Sequence, residues 1–274
     1  MRVSMRRREF LSTGLAASAL TLAGQAGDAQ SAVSPASPAK PRQYYELRKY
    51  FLEQGPQVAL ADKYVATALI PALNRMGIAP VGAFNLSIGP ETPALYLLLP
   101  SANLETLANA GLRLRSDQEF LAAADAFWNA PAASPSFVRI ESTLLIAFEG
   151  WPEVTVPPAT ATHGKRVFQL RTYESASDRD HVRKVAMFHA GEFEIFRKVG
   201  FWNVFFGDAL IGPRLPHLTY MLSFADLNQM NDLWAAFRDD ADWKKLNTMA
   251  EYTFEPIVSN ITNLVLTPAA YSQI

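Results

Sequence analysis

Polar and apolar positions alternate most clearly in two short strand patterns, YYELRKY at residues 44–50 and VFQLRTY at residues 167–173. In the second, Gln169, Arg171 and Tyr173 alternate with apolar Phe168 and Leu170; in the first, Glu46, Arg48 and Tyr50 hold the matching places. The first pattern predicts a strand over 43–52. Beyond it, Val58, Ala61, Val65, Leu69, Ala72 and Met76 recur at helical steps, and Gly77 supplies a left-handed stop. Strands over 79–88 and 94–99 flank the turn Gly89-Pro90. Helices are expected over 101–114, with Ser101 as N-cap, and over 117–129. The alternation from Phe137 to Phe148 predicts a last strand.

The second pattern opens the same order again. A strand over 166–174 leads to a helix over 178–199, stopped at Gly200. Strands over 202–210 and 218–224 flank Gly212-Pro213, helical pieces cover 226–238 and 240–249, and a strand over 256–266 closes the series. One offset of 123 residues relates Leu47 to Leu170, Arg48 to Arg171, Tyr50 to Tyr173 and Gly77 to Gly200. It also relates Ile88-Gly89-Pro90 to Ile211-Gly212-Pro213, Leu95 to Leu218, Ala102 to Ala225 and Leu104 to Leu227. Identities kept in register through strand, helix stop and hairpin turn imply duplicated structure.

The expected fold class is α+β: two tandem ferredoxin-like β-α-β-β-α-β units, over 43–150 and 165–268, joined by a Pro- and Thr-rich linker over 151–164 and followed by a tail over 269–274. Residues 95–99 and 218–222 are almost continuously apolar, so these strands are covered on both faces. The two sheets are therefore expected to face each other across a pseudo-two-fold axis as an intramolecular barrel. Leu47 and Phe51, with Phe168 and Leu170, are assigned to the helix side, which turns both Arg–Tyr pairs into the barrel interior.

Composition changes this picture only at the edges. A formal charge of −1 over 274 residues offers no basic footprint for nucleic acid. The absence of cysteine excludes disulfides, thiolate metal sites and a cysteine nucleophile. Residues 1–29 read as a twin-arginine export signal: Arg6-Arg7-Arg8-Glu9-Phe10-Leu11, then a mildly apolar stretch ending in small residues. Its removal takes four Arg, one Glu and one Asp, leaving a charge of about −3 on a periplasmic or secreted chain with no membrane span. Residues 30–42, rich in Ser, Pro and Ala, read as a disordered tether.

The phrases ELRKY and QLRTY, the Val199-Gly200-Phe201 step and Asp242-Trp243-Lys244 resemble the NIPSNAP family, part of the wider dimeric α+β barrel group. The likeness spans both units and is stronger in the second, since Phe127-Trp128 stands where Asp242-Trp243 stands later. It implies the fold and a barrel-forming habit, and a range of relatives running from uncharacterised proteins to cofactor-free oxygenases. It carries over no catalytic motif.

Arg48 with Tyr50 and Arg171 with Tyr173 are the candidate ligand-binding residues. An enclosed arginine needs a partner, either an internal carboxylate such as Glu46 or Glu174 or an anionic ligand gripped by its planar fork. A structural ion-pair network is the alternative. His189 and Glu192, three apart on one helix that also carries His181 and Glu194, are the catalytic candidates, as base and orienter. No metal spacing completes a site there, and Gly191 suggests a close backbone approach. His163 and His217 are expected in solvent, and Phe201, Trp202, Phe205 and Phe206 are read as core or cavity lining. Catalytic Ser-His-Asp, phosphate-loop and dinucleotide motifs are absent, so no cofactor and no metal is expected. The sequence thus points to small-molecule binding in the barrel interior, with a cofactor-free oxygenase or isomerase in the same cavity, or a purely structural module, as alternatives. Pairing of whole chains into a homo-oligomer stays open.

Overall fold

The computed structural model describes residues 41–274, so the expected export signal and nearly all of the tether lie outside the described residues. Strand β1 (Tyr44–Phe51) leads into α1 (Pro56–Tyr64), a π-helical turn (Val65–Leu69) and α2 (Ile70–Arg75). Strands β2 (Gly82–Ile88) and β3 (Ala94–Ser101) form a hairpin, followed by α3 (Leu104–Leu114), α4 (Gln118–Trp128) and β4 (Arg139–Ala147). After the linker the order returns: β5 (Val167–Glu174), α5 (Asp178–Met187), a π-helical turn (Phe188–Glu192) and α6 (Phe193–Val199). It continues through β6 (Trp202–Ile211), β7 (His217–Phe224), α7 (Leu227–Asp239), α8 (Ala241–Asn247), the short α9 (Phe254–Ile257) and β8 (Asn260–Pro268).

Side-chain caps set most helix starts. Asp117, Ser177, Asp226 and Asp240 each accept a backbone N–H of the turn they open, and Gly200 closes α6 at φ +101°. Asn103, rather than Ser101, caps α3 by accepting from Thr106 N, because β3 runs on through Ser101. The last strand begins at Asn260, later than its apolar pattern suggested, since the chain first makes the turn of α9 and Ser175 Oγ donates to Ile257 O at 2.7 Å.

All eight strands are antiparallel and close a barrel in the order β1-β3-β2-β8-β5-β7-β6-β4. Each half contributes the same four-strand order, β4-β1-β3-β2 and β8-β5-β7-β6, and the halves meet at β2–β8 and β6–β4. The expected intramolecular α+β barrel is the observed fold, and the structure shows it closed. The register sets Arg48 opposite Leu97 and Ser142, and Arg171 opposite Tyr220 and Asn263.

Three apolar clusters divide the molecule. Tyr45, Phe84, Leu98, Leu145, Phe168, Val204, Met221 and Leu266, one from each strand, fill the barrel interior with their neighbours. Tyr50 packs with Tyr64, Leu69, Leu114 and Phe127 under the helices of the first half. Tyr173 packs with Phe188, Phe196, Tyr220 and Phe237 under those of the second. The faces are therefore reversed from the sequence expectation. Phe168 and Leu170 look into the barrel, with Leu47 packed against the same interior cluster, while the alternation that carries Arg48–Tyr50 and Arg171–Tyr173 lies beneath the helices. Strands covered on both sides have no wet face, so alternation alone could not tell the barrel side from the helix side.

Candidate functional site

The second half carries a pocket of about 390 Å³ between its helical layer and the outer face of β5 and β8. Gln169, Arg171 and Tyr173 rise from β5, and Asn263 from β8. Glu192 comes from the π-helical turn, and Trp234 and Phe237 from α7. Arg171 is half-buried. Its Nε and Nη2 both donate to the Tyr173 hydroxyl, at 3.1 and 3.0 Å, and its guanidinium lies 4.6 Å from the Trp234 ring centre. The Tyr173 and Tyr220 hydroxyls are 2.8 Å apart. Burial holds the Tyr220 phenol well above its ordinary range, so it stays protonated. No carboxylate lies within ion-pair distance of Arg171 among the described residues; Glu174, its nearest candidate in sequence, instead meets Arg214 at 3.1 Å.

The first half carries the corresponding pocket, about 460 Å³, lined by Arg48, Tyr50, Tyr64, Leu114 and Phe127. Here the guanidinium is neutralised from within. Arg48 Nε and Nη2 donate to the two carboxylate oxygens of Glu46 at 2.7 and 2.9 Å, and Ser142 Oγ donates to the same carboxylate at 2.8 Å. Arg48 Nη1 reaches the Tyr50 hydroxyl only at a long 3.5 Å. Of the two readings of the arginines, an internal ion pair describes Arg48. Arg171 is bound to a neutral phenol.

Glu192 lines the second pocket but is 2 % exposed, and Lys184, fully buried, donates from Nζ to its Oε2 at 2.6 Å. Burial raises the Glu192 carboxyl above its ordinary value, with Lys184 and Arg171 opposing the rise. His189 does not join it. The π-helical turn over 188–192 breaks the three-residue spacing, leaving His189 exposed against Phe148. Its Nδ1 donates to Val185 O at 2.9 Å and its Nε2 accepts from Gly150 N at 3.1 Å. The pairing of His189 with Glu192 as base and orienter is thus replaced by Glu192 with Lys184. Gly191 does mark a close approach: a Cβ there would sit 3.2 Å from Leu246 of α8.

His163 is exposed, as expected, but His217 is buried at 4 % exposure, where its strand enters one barrel mouth. That mouth opens into a cavity of about 600 Å³ bordered by Lys49, Tyr96, Leu170, His217 and Thr219. Its charges are satisfied locally, Lys49 by Glu91 at 3.3 Å and Arg214 by Glu174. The aromatic run divides: Phe201 and Phe206 pack under the helices, Phe205 inside the barrel, and Trp202 stays partly exposed. Sequence reasoning missed Trp234 and Asn263 as pocket walls and Lys184 as a buried cation. The spacing of Trp234, Phe237 and Arg238 on one helix was the available signal for the first. Among the described residues no cluster of His, Asp and Glu could hold a metal ion, and no helix is long and apolar enough to cross a membrane.

A closed eight-stranded barrel flanked by two helical layers, with a pocket under each, defines an α+β barrel protein. Residues 168–273 match the NIPSNAP family model, and this portion of the chain is similar to that family. No curated protein matches the sequence. Among solved structures, a protein from Lactobacillus acidophilus, provisionally described as a monooxygenase, shares 9 % identity at a TM-score of 0.54. That match covers 83 % of this chain and 94 % of the other. A NIPSNAP-like domain protein from Burkholderia xenovorans is 17 % identical over 40 % of this chain and 90 % of its own, with a TM-score of 0.36. A NIPSNAP family protein from Agrobacterium tumefaciens is 14 % identical over 44 % and 96 %, also at 0.36. The Lactobacillus likeness speaks for the fold alone.

Proposed function

We propose that this protein binds a small anionic molecule with an apolar body, in the pocket of the second half rather than in the barrel interior. One observation carries the reading. Arg171 keeps its charge in a half-buried setting with no carboxylate in contact, beside a pocket walled by Trp234 and Phe237, whereas Arg48 is neutralised by Glu46. A guanidinium partly removed from bulk water with no carboxylate in contact favours an anion, and the planar rings favour an apolar or aromatic body. Arg238 adds a second cation at the rim. Mass spectrometry of small molecules released from protein purified from its native compartment tests this. An anionic compound carried by the wild type and lost in Arg171→Ala is expected; equal content in both would overturn the reading.

A second reading, proton-transfer catalysis in the same pocket, is favoured by Glu192. Its carboxyl is buried, shifted toward the protonated form, and shares the pocket with Arg171, an arrangement suited to moving a proton on a bound anion. If it acts so, Glu192→Gln abolishes turnover while the ligand is still retained; retained turnover removes the role. We further propose, on the Arg6-Arg7-Arg8-Glu9-Phe10-Leu11 motif and the cysteine-free composition, that the chain is exported folded by the twin-arginine route to the periplasm or beyond.

A further inference from the structure

We propose that the first-half pocket is a second copy of the binding site occupied by the protein's own Glu46 carboxylate, and that this contact identifies the second-half ligand as a carboxylate. The inference rests on the anion-binding reading above and goes beyond it by naming the acid and the state of the other pocket.

The two halves correspond position by position. The offset of 123 residues pairs Glu46 with Gln169, Arg48 with Arg171, Tyr50 with Tyr173 and Leu114 with Phe237. Across the strand pair, Ser142 faces Arg48 as Asn263 faces Arg171. Every part of the first pocket's anion grip therefore has a counterpart in the second, except the anion. In the first half the Nε/Nη2 edge of Arg48 holds two carboxylate oxygens, and Ser142 adds a third donor. In the second half the same edge of Arg171 holds one neutral phenol oxygen.

Gln169 cannot replace the missing carboxylate, being neutral and already committed. Its Oε1 accepts from Trp234 Nε1 at 2.6 Å, and its Nε2 donates to Asn263 Oδ1 at 2.9 Å. Those two contacts occupy both ends of the amide. Trp234 stands where the first half has Gly111, so the second pocket gains an aromatic wall in the place where the first has no side chain. The Glu46 contact shows what the fork accepts: two coplanar oxygens presented side by side, the geometry of a carboxylate rather than of a neutral amide. A ligand carboxylate on Arg171 would take the place of Glu46, with its body against Trp234, Phe237 and Met230.

Reciprocal exchange tests this by titration calorimetry on the full chain, with sodium phenylacetate, phenyl phosphate and phenylacetamide as probes. Wild type should bind phenylacetate at one site per chain and phenylacetamide not at all. Gln169→Glu, which installs the internal acid, should weaken phenylacetate at least 100-fold. Glu46→Gln, which removes it, should raise the stoichiometry to two, and phenylacetate should restore the melting temperature that this substitution lowers. Wild-type stoichiometry of one that stays one in Glu46→Gln, with affinity unchanged in Gln169→Glu, overturns the inference and leaves the anion-binding reading standing. Equal affinity for phenyl phosphate overturns the carboxylate assignment. A wild type that binds neither anion overturns both.

Discussion

Glu192 and Lys184 meet inside the helix–sheet layer of the second half, where the first half has Leu69 and Ala61. The first half thus fills these two positions with apolar residues, and the ion pair at them is special to the second half. Taking one partner away strands a buried charge, so Lys184→Met is expected to cost about 3–5 kcal/mol in denaturant unfolding. The double variant Lys184→Met, Glu192→Leu should recover part of that loss. Glu192 also sets a pH signature. Its folded-state pKa lies above its unfolded value near 4.5, so the native state holds the extra proton. That contribution is complete below about pH 4.5 and is lost as pH rises through the folded pKa. Wild type should therefore lose stability relative to Glu192→Gln as pH rises from about 4.5 toward neutrality. Parallel curves for the two proteins across that range would refute the assigned direction.

Both long helices carry their π-helical turn at the same place, Val65–Leu69 and Phe188–Glu192, again 123 residues apart. An inserted residue rotates everything after it relative to everything before, and so removes His189 from the face that Glu192 occupies. In the first half the turn delivers buried Leu69 to the core; in the second it delivers Glu192 to the pocket. His189 instead ties the helix to the Gly150 backbone. His189→Ala should therefore leave ligand content unchanged while costing about 1 kcal/mol in thermal unfolding. A loss of bound ligand in that variant would return His189 to the site.

At the scale of the molecule, each half alone would expose the long edges β2 and β4, or β6 and β8, and the barrel removes all four by pairing them. The tail over 269–274 adds a strap across the halves. Ala269 N and Gln273 N donate to Ala83 O and Val81 O, Tyr271 Oη donates to Asp62, and Ile274 is fully buried against the barrel cluster. A protease site placed in the linker over 151–164 should therefore yield two fragments that elute together at the mass of the intact chain. Separation without denaturant would show that the two interfaces do not hold the barrel closed.

The repeated order of elements and the intramolecular barrel were legible in the sequence, and its closure is seen in the structure. The first two follow from local periodicity, turn residues and an offset held through fifty-eight positions, 47 to 104. The sequence also singled out the two Arg–Tyr pairs, since such residues within apolar strands demand partners. What it could not decide was which side of the sheet they faced. When both faces are covered, the period of two is satisfied either way, and only the assembled barrel shows that its interior is filled by eight strands' worth of apolar side chains. The pockets that hold Arg48 and Arg171 lie instead between sheet and helices, where Trp234 and Asn263 arrive from elements more than sixty residues beyond Arg171. The difference between Arg48 and Arg171 is likewise a tertiary result. It turns on Glu46 versus Gln169, a one-atom change in chemistry whose consequence depends on Ser142, Asn263 and Trp234 reaching the same spot.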